Sequence, residues 1–214
     1  MAPTTLYFLQ ASRSIRIAWL LEELGLDYEV KFADRENQKA PQWMKEEAGG
    51  LGKFPVMKDG DVVLYESGNI TEYICDKYDT EHRFLPPLND PKRYQVQQWV
   101  HAAEATYMLH ALAITYARWN QKGGDVEATE AGLSVNVQKD FDYLEAELGR
   151  SKGKFLLGDS PTAADTMMEF TVDFILTREL GTKGKTWEKV EGYRKSCQAT
   201  EGWKKAQKKT GHRL

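Results

Sequence analysis

The sequence predicts an α+β N-terminal domain, β-α-β then β-β-α, followed by an all-α helical bundle. Three observations carry this. The first third of the chain alternates short apolar, β-branched runs with helical patterns. The stretch EHRFLPPLNDP then holds three of the seven prolines in eleven residues. Beyond it, Lys92 to Trp119 contains neither Gly nor Pro, and its apolar residues recur at three and four. The expected domains are residues 1–80, a linker over 81–90, and a helical domain over 91–214.

In order, TLYFLQ is a short strand, and SIRIAWLLEELG is a helix of good helix formers ended by Gly25 at its C-cap position. YEVKFA is a second β-branched and aromatic strand. A polar segment containing Pro41 separates it from FPVMK and DVVLY, which read as a hairpin across Asp59-Gly60. SGNITEYICDKY is a helix that closes the unit near Tyr78. After the linker the long helix runs to Trp119, GGD at 123–125 breaks it, and VEATEAGLSVNVQKDFDYLEAELG forms another. Gly149 to Gly158 is a loop. Thr162-Ala163-Ala164-Asp165 starts the next helix in the manner of a capping box, and one or two short helices finish the chain.

With 214 residues, 41% hydrophobic and 29% charged, the chain can bury about 70% of its unfolded surface without a covalent staple. Its net charge of -3 argues against a nucleic-acid partner, which would need surplus lysine and arginine for phosphates. Lys204, Lys205, Lys208 and Lys209 read as one solvated face of a terminal helix. The longest apolar runs, such as IAWLL, are far too short for a membrane span. MAPTTLYFLQASRS lacks the basic start and apolar core of a secretory signal, so a cytoplasmic location is expected. His212-Arg213-Leu214 resembles a peroxisomal address only loosely and is read as a tail. Cys75 and Cys197 form no Cys-x-x-Cys pair, which fits a reducing compartment. No metal is expected: His101 and His110 are nine residues apart on one helix, hence on opposite faces.

Two local patterns could carry chemistry. Pro55 heads a strand, where an X-Pro bond can be cis and would let the Phe54 backbone grip an extended ligand; a trans edge-strand proline is the alternative. Glu66-Ser67 stands where the next helix begins. Free N–H groups and the helix dipole there favour a carboxylate, and Glu66 could take an ammonium, although plain capping would look the same. Jointly, a backbone grip and a clamp for both charges describe the zwitterionic end of a short peptide.

At this point the sequence resembles a family. LYFLQASRSIRIAWLLEELGLDYE, LGKFPV, LYESGNITEYI and KFLLGDSPTAAD are similar, in order, to the first strand and helix, the Gly-x-x-Pro turn, the Glu/Gln-Ser-x-x-Ile element and the second-domain helix start of cytosolic glutathione transferases, fungal and bacterial branch. The resemblance implies a thioredoxin-like first domain, glutathione as cosubstrate, and a homodimer. It further implies detoxification by adding the glutathione thiolate to hydrophobic electrophiles, or a glutathione-dependent peroxidase using the same thiolate. It implies that Glu66 and Ser67 hold the γ-glutamyl end, that Phe54 and Pro55 meet the cysteinyl unit, and that Lys39 or Lys53 faces the glycyl carboxylate. Ser12 and Tyr7 are rival activating hydroxyls, with Arg13 adjacent; Ser12 followed by Arg16 is closer to the serine-type wording. Glu104 would reach the ligand across a dimer axis, and Tyr107, Met108 and Tyr116 would line the acceptor pocket, with core packing the alternative for Met108. No cysteine stands at the end of the first strand, which excludes the thiol-type relatives. Ala48-Gly49-Gly50 replaces the family's usual Asn-Pro and predicts a looser loop before Pro55. The rival readings are a non-catalytic interaction module of the same fold and a biosynthetic transferase dedicated to one metabolite.

Overall fold

The computed structural model describes residues 4–214, which divide into two compact units. The first comprises residues 4–90 together with Gln198–Leu214, and the second Pro91–Cys197. The C-terminal segment therefore packs with the first unit, not with the helical domain as the expected boundary had it.

In the first unit, β1 (Thr4–Leu9), α1 (Ser14–Glu23), β2 (Tyr28–Ala33), α2 (Gln42–Ala48), β3 (Val56–Asp59), β4 (Val62–Leu64) and α3 (Ser67–Tyr78) form a four-stranded sheet with helices. The strand order is β2-β1-β3-β4, with β1 parallel to β2 and antiparallel to β3. β1 is central, so Leu6 to Leu9 are buried on both faces. α1 buries every residue from Ser14 to Leu21; its large apolar side chains contribute about 1.5–3 kcal/mol each by leaving water. β3 and β4 form the expected hairpin, with Asp59 opposite Val62 and Gly60 at φ 62. α2 was not expected. Its seven residues place Met44 and Ala48 inward, against a cluster that includes Tyr7, Phe54 and Val56.

The hairpin and α3 share one anchor. The buried Asp59 carboxylate accepts from Tyr78 Oη at 2.7 Å, Tyr73 Oη at 2.8 Å, Lys77 Nζ at 2.8 Å and Thr4 Oγ1 at 3.2 Å. Burial alone would raise its pKa, but the donors on α3 outweigh it and hold the carboxyl at about 2.

The last helices are α8 (Glu188–Gln198) and α9 (Glu201–Thr210). α9 lies on α1, and a Cβ at Gly202 would run into the Glu23 side chain, so glycine permits the approach. Its lysines are exposed, but Lys209 also sits over the Tyr28 ring, 3.5 Å from its centroid, and pairs with Glu22 at 3.6 Å. The tail then reaches the start of the chain. Gln10 donates to Gly211 O at 2.9 Å and accepts from Arg213 N at 3.1 Å, while His212 meets Phe8 edge-on.

The second unit is helical: α4 (Lys92–Ala102), a π-helical segment (Ala103–Met108), α5 (Leu109–Asn120), α6 (Val126–Arg150), α7 (Ala163–Thr177) and α8 up to Cys197. The single long helix expected over 92–119 thus contains a π turn. Thr171 Oγ1 of α7 donates to Ala103 O at 3.3 Å, an insertion of the kind that opens an i→i−4 ladder. α7 is buried almost all round and forms the core. Its capping box is as expected: Asp165 accepts from Thr162 N at 2.7 Å and Thr162 Oγ1 at 2.9 Å.

Candidate functional site

β1 delivers the chain to a turn that includes Ala11, held in the left-handed region at φ 52. Ser12 follows and is buried. Its Oγ accepts from the Ser14 N–H at 3.2 Å and donates to Ser14 Oγ at 2.9 Å; the Ser14 hydroxyl in turn donates to Tyr7 O at 3.3 Å. Ser12 therefore caps the first turn of α1, and Arg13 occupies the N-cap position proper. The rival hydroxyl is engaged elsewhere. Tyr7 Oη donates to Glu47 Oε1 of α2 at 3.3 Å, with Lys58 Nζ 5.1 Å from its ring centroid.

At the other end, the Phe54–Pro55 peptide is cis, as the strand-head pattern allowed, and both residues are buried. Lys39 and Lys53 are exposed, each with an ammonium open to an anion. Glu66 is exposed and held at φ 66 and ψ 117, a backbone conformation that side chains with a Cβ rarely adopt. It occupies the N-cap position of α3, and Ser67, expected there, is the first helical residue. The reason is a buried partner: Ser67 Oγ accepts from Arg16 Nη1 at 2.9 Å instead of closing on its own helix. The first i→i−4 bond of α3 is Ile70 N to Glu66 O at 2.9 Å. The amides of Ser67, Gly68 and Asn69 therefore precede the ladder, at the positive end of the helix dipole.

Arg16 joins the candidate site through its bond to Ser67, a link not expected from the sequence. It is 1% exposed. The signal was present: an arginine between Ile15 and Ile17, on a helix apolar all round, must be buried and so must have partners. One helix, α1, thus carries both ends of the site, with Ser12 over its first turn and Arg16 reaching Ser67.

The loop before Pro55 differs from expectation. Gly49 and Gly50, at φ 80 and φ 74, pack on the side chain of Tyr65, and a Cβ at Gly50 would collide with that ring. The glycines permit close contact with the residue preceding Glu66, so they do not loosen the loop.

In the helical unit, Glu104 is half-buried within the π turn. Met108 is buried in the core. Tyr107, 2% exposed, lies near Trp99 and Phe141, with ring centroids at 6.2 and 6.4 Å. It borders a depression of about 310 Å³ with Trp99, Thr106, Asp140 and Tyr143, where burial and the nearby Asp140 raise its pKa. Of the three residues expected to line an acceptor pocket, Tyr116 is the one with surface to offer, 52% exposed and edge-on to Trp119.

Comparisons with known proteins place the chain in a family. Residues 2–76 match the family described as glutathione S-transferase, N-terminal domain. The chain is similar to glutathione S-transferase 3 of Zea mays, at 30% identity over 171 residues, 77% of this chain and 75% of the relative. It is similar to glutathione S-transferase 3 of Schizosaccharomyces pombe, at 29% identity over 208 residues, 90% of this chain and 84% of the relative. Among solved structures, a glutathione S-transferase from Actinobacillus pleuropneumoniae superposes with a TM-score of 0.84 at 30% identity, covering 98% of this chain and 93% of that one.

Proposed function

The chain belongs to the glutathione S-transferase superfamily, and from that premise we propose that it binds glutathione along its first unit, ionises the thiol at Ser12 and adds the thiolate to a hydrophobic electrophile. The buried Arg16–Ser67 bond carries this reading. By accepting from Arg16, Ser67 leaves its own proton to donate, and with the first-turn amides of α3 it offers a carboxylate several donors. Glu66 beside it supplies an opposite charge for the γ-glutamyl ammonium. The cysteinyl unit would pair with the Phe54 backbone at Pro55, and Lys39 or Lys53 would take the glycyl carboxylate.

A thiol of pKa about 8.5 is only about 3% thiolate at pH 7, and lowering it by roughly two units needs about 2.7 kcal/mol of preferential stabilisation. One hydrogen bond to a charged acceptor contributes about 1.5–3 kcal/mol. The Ser12 hydroxyl would turn from Ser14 Oγ, to which it donates at 2.9 Å, toward the sulfur, and the Ser14 amide that donates to its oxygen polarises it as a donor. The positive end of α1, with Arg13 at its N-cap, adds to the stabilisation of sulfur. Tyr116, with Tyr107 and Met108 nearby in sequence, is the proposed selector of the electrophile. A hydroperoxide could consume the same thiolate.

We further place the protein in the cytoplasm as a homodimer, with Glu104 contributing across the dimer axis. The reducing setting fits two buried free cysteines, Cys75 and Cys197. Among the described residues no helix is long and apolar enough to cross a membrane. Calorimetric titration with glutathione tests the whole reading: heat of binding that is lost in Ser67→Ala supports it, and a titration without heat in the native chain rejects it.

A further inference from the structure

Arg35, just beyond β2, presents one guanidinium to three backbone carbonyls. Nε donates to Gln10 O at 2.9 Å, Nη2 to Ala11 O at 3.1 Å and Nη1 to Gln38 O at 3.1 Å. Gln10 and Ala11 are the two residues before Ser12, and Gln38 is the residue before Lys39. Both segments need holding. Ala11 has φ 52, and Asn37 and Gln38 have φ 48 and φ 64 in a tight turn. That turn is closed by Glu36 N to Lys39 O at 2.8 Å and Lys39 N to Glu36 O at 2.9 Å.

We propose that Arg35 is a positioning residue that fixes the Ser12 turn and the Lys39 turn relative to each other, so that one fork sets the span between the hydroxyl meeting the glutathione thiol and the ammonium meeting the glycyl carboxylate. This rests on the glutathione reading above, with Lys39 taking the glycyl end. The planar guanidinium serves several carbonyls at fixed angles, which a lysine ammonium at the same place cannot reproduce. Arg35 is exposed, so water can replace its bonds with little effect on global stability. The spacing of the two turns has no such substitute, and a reacting group misplaced by about 1 Å can cost on the order of 100-fold in rate.

The test uses the full chain with Arg35→Gln and Arg35→Lys beside the native protein. Without ligand, hydrogen exchange is followed in peptides covering residues 8–13 and 36–40. With glutathione, calorimetry reads affinity and thiolate absorbance reads the pH at which the bound thiol ionises. With S-methylglutathione, calorimetry reads binding without the thiol. We expect faster exchange in both peptides, glutathione affinity lower by about tenfold, a bound thiol that ionises at higher pH, and Arg35→Lys no better than Arg35→Gln. Native affinity and thiol ionisation in both variants, recovery of both by Arg35→Lys, or faster exchange in only one of the two peptides would overturn the role of Arg35 while glutathione binding stands. A native chain that binds neither ligand overturns the glutathione reading and this role with it. If Arg35→Gln fails to fold, Arg35→Lys carries the same readouts.

Discussion

Arg16 Nη1 donates to Ser67 Oγ at 2.9 Å with both side chains buried. The bond ties α1 to the start of α3, so Ser67→Ala removes a carboxylate donor and also a partner of a buried cation. Hydrogen bonds to charged groups contribute about 1.5–3 kcal/mol. Ser67→Ala should therefore lower both the thermal midpoint and the affinity for glutathione, by at least about tenfold for the latter. Ser67→Thr, which keeps the hydroxyl, should recover most of the affinity, and calorimetry with unfolding scans checks both.

Ser12 and Tyr7 separate by their partners. Ser12 Oγ is polarised by the Ser14 amide, whereas Tyr7 Oη is committed to Glu47. Ser12→Ala should raise the pKa of bound glutathione by about one to two units, each unit being 1.36 kcal/mol. Tyr7→Phe should leave it within about half a unit, well below the one-to-three-unit effect of a close charge. Titration of the thiolate absorbance across pH 5 to 9 in the bound state decides the matter, and the reverse order would assign activation to Tyr7.

Asp59 makes the first unit acid-sensitive in a defined window. Its pKa lies below the ordinary 3.8, at about 2, so the folded state prefers the charged form. The stabilisation is complete above about pH 4 and is lost as pH falls through about 2; its full size is about 2 kcal/mol. Urea unfolding of native and Asp59→Asn chains from pH 6 down to pH 2.5 should show the gap between them narrowing toward the acid end. A constant gap would mean that Asp59 acts only through packing.

Gly50 stands at φ 74 against the Tyr65 ring. Gly50→Ala should cost about 1–2 kcal/mol for the left-handed backbone alone, and should weaken glutathione binding through the shift forced on Tyr65, next to Glu66. Gly50→Ala combined with Tyr65→Ala should regain part of the loss, since the collision is gone. Equal losses in the single and double variants would place the whole effect in the backbone.

Much of this architecture was legible because local chemistry dictated it. α3 begins and ends where SGNITEYICDKY does, β2 coincides with YEVKFA, and the Asp59-Gly60 dipeptide marked the hairpin. The misses were set by distant partners. α2 is seven residues long, too short for its two buried positions to show a period. The π turn has its carbonyl at Ala103 taken by Thr171, 68 residues away. Ser67 left the cap because Arg16, 51 residues earlier, took its oxygen. The lysines of α9 were visible as a polar face, but that Trp203 and Ala206 on the other face belong with the first unit was not.

The proposed homodimer is checked by mass in solution. Light scattering at micromolar concentration should report twice 24.4 kDa. A species of 24.4 kDa across that range would remove the dimer and, with it, the role proposed for Glu104.

Gln10 spends its amide on the last residues of the chain, taking the Gly211 carbonyl and the Arg213 N–H. A single side chain thus joins the end of β1, two residues before Ser12, to Gly211 and Arg213 after α9, so a substitution at Gln10 would release both together.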